Sequence, residues 1–203
     1  MTAITRSSKK FMPTYILIAL NIIVYAYTSI AGRNFLETSI DMLLKYGQVN
    51  YSVLNGWYWQ LFTAMFVHVN IVHILGNMFF LLIFGLRAEE LFFIQEYLLI
   101  YFASGLTGNL LTLLFGPYMI SAGASGALFG LFGACIIYIR RTIGQSIMSA
   151  LLYAFFLFII SSGVNVNLLA HLGGLLVGLL IGYGLAAVRK PRITYKYRYS
   201  YAV

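Results

Sequence analysis

Six apolar runs divide the chain, at about residues 15–30, 70–86, 92–115, 122–139, 146–162 and 167–188. Each is close to the roughly 20 residues that a helix needs to cross a bilayer, and none shows the strict alternation of a half-buried strand. Helices are the open structure that satisfies its own backbone groups in lipid, so the pattern predicts an all-α membrane protein with six transmembrane helices. The third run ends at Gly116-Pro117, a turn signal, and the later connections are short. Only the first two runs stand far apart. Residues 31–69 mix Arg33, Glu37, Asp41 and Lys45 with Trp57, Tyr58 and Trp59, the composition of a long outer loop lying partly in the interface, where aromatic rings settle at headgroup depth.

Composition strengthens this reading. Of 203 residues, 61% are apolar and 9% charged, against roughly 25% charged in a soluble domain. Six spans use nearly all of the length, so residues 1–203 are read as one membrane domain, with a short N-terminal segment 1–12 and a basic, tyrosine-rich tail 189–203. The net charge of +8 does not point to nucleic acid, because the cations sit in clusters between apolar runs, as in loops that face anionic lipid. With alternate connections assigned to opposite sides, eleven of the thirteen Lys and Arg residues fall on the side of the two termini, leaving Arg33 and Lys45 on the other. Both termini are therefore expected in the cytoplasm, and the compact six-helix form fits a multi-pass protein of the plasma membrane. Arg6, Lys9 and Lys10 ahead of the first run resemble a secretory signal, but that run is long enough to span and five others follow. Cys135, the lone cysteine, reads as small apolar filler.

Polar residues inside spanning segments are costly and direct attention to function. The second, fourth and sixth helices all begin at the outer face, carrying His73 and Asn77, Ser125, and His171 near their starts. At a rise of 1.5 Å per residue these groups lie about 5–10 Å below the outer surface. Small residues at steps of four, Ala122, Gly126 and Gly130 on the fourth helix and Ala170, Gly174, Gly178 and Gly182 on the sixth, allow the two backbones to approach closely. Ser125 and His171 border these stripes.

A serine hydroxyl becomes a strong nucleophile when a neighbouring neutral histidine takes its proton. The carboxylates are Glu37, Asp41, Glu89, Glu90 and Glu96; the last three fall at the opposite membrane face and nothing ties the first two to His171, so a Ser125–His171 dyad is simpler than a triad. His73 and Asn77, spaced i and i+4, share a helix face and could serve as oxyanion donors together with the backbone N–H of Ser125. The same pair also suits interhelical hydrogen bonding. His68, just before that helix, reads as an ordinary interfacial histidine, with a role in the site as the alternative.

The motifs HVNIVHILGNM at 68–78, GASG at 123–126 and AHLGG at 170–174, in this order and on these helices, resemble those of the rhomboid intramembrane serine proteases. The resemblance covers nearly the whole chain. It implies a six-helix rhomboid-like bundle, Ser125 as nucleophile, His171 as general base, and His73 and Asn77 as oxyanion-side donors, with Gly123 and Gly126 letting backbone and substrate come close. It further implies an outward-opening aqueous cavity, no metal or cofactor, and transmembrane segments of other membrane proteins as substrates. Four positions, at three places, depart from the family pattern. Where the family often has Glu-x-Trp-Arg, this chain reads Trp57-Tyr58-Trp59-Gln60, which puts loop anchoring in question. Phe93 stands where the last glycine of a G-x-x-x-E-x-x-x-G pattern around Gly85 and Glu89 is expected. Phe129 replaces a frequent tyrosine, retaining a ring for stacking beside His171.

Two other classes compete. A non-catalytic rhomboid-fold protein that binds membrane clients typically lacks the serine or the histidine, and this chain has both. A small transporter would carry polar residues through the full membrane depth, whereas the cytoplasmic halves of the fourth and sixth helices are almost wholly apolar.

Overall fold

The computed structural model describes residues 12–149, 151–153 and 166–189. Most of the fifth apolar run, the N-terminal basic cluster and nearly all of the tail lie outside the described residues. Helix α1 (Pro13–Gly32) is followed by a connecting segment of short elements: α2 (Ile40–Tyr46), β1 (Gln48–Val49), α3 (Asn50–Leu54) and α4 (Gln60–Thr63). Then come α5 (Ile71–Leu91), α6 (Ile94–Thr112), the short strand β2 (Ile120–Ser121), α7 (Ser125–Thr142) and α8 (Leu168–Val188). Among the described residues four helices, α1, α5, α6 and α8, are long and apolar enough to cross a membrane.

Helix α7 is the hub, packed against α5, α6 and α8. It is buried almost all round at Gly126–Leu131 and again at Gly133–Cys135, as expected for a helix enclosed by others rather than facing lipid. The run predicted to end near residue 139 continues to Thr142, because Arg140 and Arg141 in its last turn suit the negative end of the helix dipole. The two small-residue stripes meet in register. A Cβ at Gly174 would fall on the Gly126 carbonyl oxygen, one at Gly178 on that of Gly130, and one at Gly182 would come 2.5 Å from that of Ala134. No residue larger than glycine fits those three positions without moving a backbone.

The ends of the long helices are tied at the face opposite the candidate site. The Glu89 carboxylate accepts from the Thr14 N–H at 2.8 Å, a favourable place for an anion at the start of α1. A Cβ at Gly85 would meet Thr14 Oγ1 at 2.6 Å, so the glycine lets α1 press on α5. Phe93, standing where the family pattern has glycine, precedes α6, donates its N–H to Glu96 at 2.7 Å, and lies beneath the Arg189 guanidinium at 4.9 Å. Arg189 also pairs with Glu96 and donates to the Leu91 carbonyl at 3.1 Å.

This connecting segment is held by neutral amides. Gln60, at the position where the family often has arginine, is fully buried. Its Oε1 accepts the Val49 N–H at 2.9 Å and its Nε2 donates to the Leu44 carbonyl at 2.8 Å. Gln48 Nε2 donates to Asn109 O and Asn50 Oδ1, both at 2.9 Å; Asn50 Nδ2 donates to Thr112 O at 2.8 Å; Asn109 Nδ2 donates to Leu61 O at 2.7 Å. A carboxamide both donates and accepts, so it satisfies backbone on two sides without the desolvation cost of a buried charge. Strand β1 pairs antiparallel with β2, Gln48 opposite Ser121, which fastens this segment to the chain leading into α7. Trp57 and Trp59 stack at 5.1 Å on the exposed side, suited to the interface. Replacing Gln60 with alanine removes the side-chain partner of the part-buried Val49 N–H and Leu44 carbonyl and empties a fully buried site, at a cost of about 1–3 kcal/mol. The unfolding temperature of Gln60→Ala in detergent is expected to fall by about 5–10 °C, measured by differential scanning fluorimetry.

Candidate functional site

Three helix starts and one glycine turn bring the polar side chains together. Gly123 has φ of +132°, a region that side chains disfavour, and its N–H donates to Ala64 O at 2.8 Å. The turn delivers Ser125 as the first residue of α7, where a backbone N–H has no acceptor within its own helix. Asn70 caps α5, its Oδ1 accepting the His73 N–H at 2.8 Å. Asn167 caps α8, its Oδ1 accepting the Ala170 N–H at 3.0 Å. Such caps contribute about 1 kcal/mol each and set where the helix, and the side chain on its first turn, begins.

Ser125 Oγ and His171 Nε2 lie 2.8 Å apart, hydrogen-bonding distance across the α7–α8 contact. His171 is 7% exposed and its ring stacks on Phe129, centroids 4.4 Å apart and planes 25° from parallel. The His73 ring covers Gly123: a Cβ there would lie 2.8 Å from its Cε1 and 3.0 Å from its Nε2. Asn77, one turn further along α5, donates through Nδ2 to the His73 carbonyl at 2.8 Å, leaving one amide hydrogen for another acceptor. A cavity of about 720 Å³ connects these groups, lined among others by His73, Asn77, Gly123, Ser125, Phe129 and His171. All five residues that the sequence nominates for the site, His73, Asn77, Gly123, Ser125 and His171, therefore line one space.

His68 differs from the sequence reading. It is fully buried rather than interfacial, with its ring 5.2 Å from that of His73 and its Nδ1 3.2 Å from Phe66 O. Burial first, and then the neighbouring His73, pushes its pKa down to about 3, so it stays neutral at physiological pH. Asn70, Asn109, Ser121 and Asn167 also line the cavity, and sequence reasoning misses all four. Asn70 and Asn167 carry a signal that could have marked them, an asparagine immediately before an apolar run. Asn109 and Ser121 carry none. Glu89, Glu90 and Glu96 are engaged at the far ends of their helices, with Thr14, Arg87 and Arg189. No group of three or more His, Cys, Asp or Glu among the described residues is arranged to hold a metal ion.

Comparison with known proteins places this architecture. Residues 55–188 match the family model described as the rhomboid domain. The chain is 39% identical over 169 residues to RHOMBOID-like protein 6, mitochondrial, of Arabidopsis thaliana, covering 78% of this chain and 54% of that one. It is 33% identical over 189 residues to the rhomboid protease GluP of Bacillus subtilis, covering 88% of this chain and 35% of that one. Rhomboid-like protease 3 of Toxoplasma gondii is 29% identical over 168 residues, covering 79% of this chain and 64% of that one. The chain thus spans about a third to two thirds of the length of these relatives. With the matched domain taking in α5 to α8 and every residue of the cavity's polar set, this multi-pass membrane protein belongs to the rhomboid family.

Proposed function

We propose that the chain is an intramembrane serine endopeptidase, with Ser125 as nucleophile and His171 as general base, acting on transmembrane segments of other membrane proteins. The observation that carries this reading is the 2.8 Å approach of Ser125 Oγ to His171 Nε2 within a cavity also lined by polar groups. A neutral His171 accepts the hydroxyl proton at Nε2 as Oγ attacks the scissile carbonyl. The oxyanion that develops is met by the Ser125 N–H, the His73 ring N–H and the remaining amide hydrogen of Asn77. The Phe129 face, 4.4 Å from the His171 ring, favours the imidazolium formed at this stage. His171 then returns the proton to the leaving amine, and water attacks the acyl ester by the same route in reverse.

On this reading residues 1–203 form one membrane domain with the six spans that the sequence predicts. The charge bias orients both termini to the cytoplasm and the cavity to the outer side of a plasma membrane. Relatives named as rhomboid proteases support the reaction class. The test is incubation of the purified protein in liposomes with a transmembrane substrate carrying a small residue at the cut site. Two fragments and labelling of Ser125 by a fluorophosphonate are expected. Binding of the substrate without fragments or label would favour a client-binding protein instead.

A further inference from the structure

One side chain joins three of the elements that frame the site. Asn167 Nδ2 donates to Thr112 Oγ1 and to Ser121 Oγ, both at 2.7 Å, while its Oδ1 caps α8 through the Ala170 N–H at 3.0 Å. Thr112, fully buried, is the last residue of α6 and its hydroxyl donates to Gly108 O at 2.9 Å. Ser121 lies on β2, four residues before Ser125. Asn167 lies four residues before His171, whose N–H donates to the Asn167 carbonyl at 3.2 Å. Around this junction α8 is pressed tightly into its neighbours: a Cβ at Gly108 would come 2.5 Å from Ala170 O and one at Gly126 would come 3.2 Å from it. The glycine contacts limit how close α8 comes to α6 and α7. They do not fix how far it slides along its own axis.

We infer that Asn167 is a positioning residue that sets this slide, and with it the distance between Ser125 Oγ and His171 Nε2, by bridging the end of α6 and the strand before the nucleophile. The inference rests on the proposed dyad. The amide is the last fixed point before the turn that carries His171, and its two donor bonds reach the two segments against which that turn must be registered. Capping and bridging are separable by chemistry. Serine, aspartate and asparagine all cap a helix well, but serine is one bond too short to reach Thr112 and Ser121 while capping. Aspartate has the reach: Ser121 can rotate to donate to it, and Thr112 can do so by exchanging its bond to Gly108 O for one to the carboxylate.

The experiment measures kcat and KM for cleavage, and the rate of fluorophosphonate labelling, in Asn167→Ser, Asn167→Asp and Ser121→Ala, with Ser125→Ala and His171→Ala alongside. A shift of about 1 Å in a reacting pair costs up to about 100-fold, so Asn167→Ser is expected to lose about 10- to 100-fold in kcat and in labelling with KM little changed. Asn167→Asp is expected within about threefold of wild type, and Ser121→Ala in between, with no further loss when combined with Asn167→Ser. Asn167→Ser at the wild-type rate, or Asn167→Asp as impaired as Asn167→Ser, overturns the inference. Should Asn167→Ser fail to fold, the Ser121→Ala variant decides alone: wild-type kcat there overturns it. Full cleavage by Ser125→Ala would instead defeat the dyad itself, a result that none of the Asn167 outcomes imitates.

Discussion

Ser125→Ala and His171→Ala are each expected to reduce cleavage of a transmembrane substrate by at least about 10³-fold, and the double variant is expected to be no slower than the worse of the two. Members of a nucleophile–base pair act as a unit, so removing the second costs little once the first is gone. The geometry gives each loss a distinct cause. Alanine at 125 removes the attacking oxygen but fits the first position of α7, so the cavity and the cap sequence around it stay as they are. Alanine at 171 leaves the hydroxyl without the base 2.8 Å away and uncovers one face of Phe129. Labelling by a serine-reactive fluorophosphonate therefore disappears in Ser125→Ala and slows in His171→Ala, while far-ultraviolet circular dichroism reports unchanged helix content in both. Wild-type cleavage by either variant would remove that residue from the mechanism.

Gly174→Ala and Gly178→Ala are the second pair of large effects. Each added methyl falls on a backbone carbonyl of α7, that of Gly126 or Gly130, and a backbone facing a backbone has no rotamer with which to yield. Overpacking of this kind costs about 1–3 kcal/mol or more, and relief comes by separating α7 from α8. The unfolding temperature is expected to fall by about 5 °C or more, with cleavage falling at least about tenfold because Ser125 and His171 sit on opposite sides of that contact. Gly184, on the same helix, has open space where a methyl would go, with nothing within 4 Å. Gly184→Ala is expected to be neutral or slightly stabilising, since alanine suits a helix better than glycine. Equal behaviour of Gly174→Ala and Gly184→Ala in thermal melts would show that the contact is not limiting.

Much of this arrangement was legible from local pattern. Hydropathy located α1, α5, α6 and α8 because a spanning helix is apolar along its length, whatever its neighbours. The steps of four at Gly126 and Gly130 and at Gly174, Gly178 and Gly182 announced which faces meet, because only small residues permit that approach. Ser125 and His171 stood out because a hydroxyl and an imidazole are rare bordering such faces. The segment between α1 and α5 is harder to read. Gln48, Asn50 and Gln60 look like ordinary loop residues; the first two depend on Asn109 and Thr112 far along the chain, and Gln60 on backbone at Leu44 and Val49 that only the folded segment brings to it. His68 misleads for the same reason: its burial is produced by the elements folded over it rather than by its neighbours in sequence. The loss of the family's arginine reads as a weakened loop, since an amide's capacity to hold two backbone groups shows only when both are in place.

The amide fastening of the segment between α1 and α5 has a consequence for the surroundings that segment can tolerate. An arginine–carboxylate clasp weakens as salt screens it and fails when acid protonates the carboxylate. Gln48, Asn50, Gln60 and Asn109 carry no charge to screen and no proton to gain, and Gln60 is sealed from solvent. The segment between α1 and α5 is thus held by an uncharged latch, indifferent to ionic strength and to acidity, whatever the medium does to the chemistry of the site.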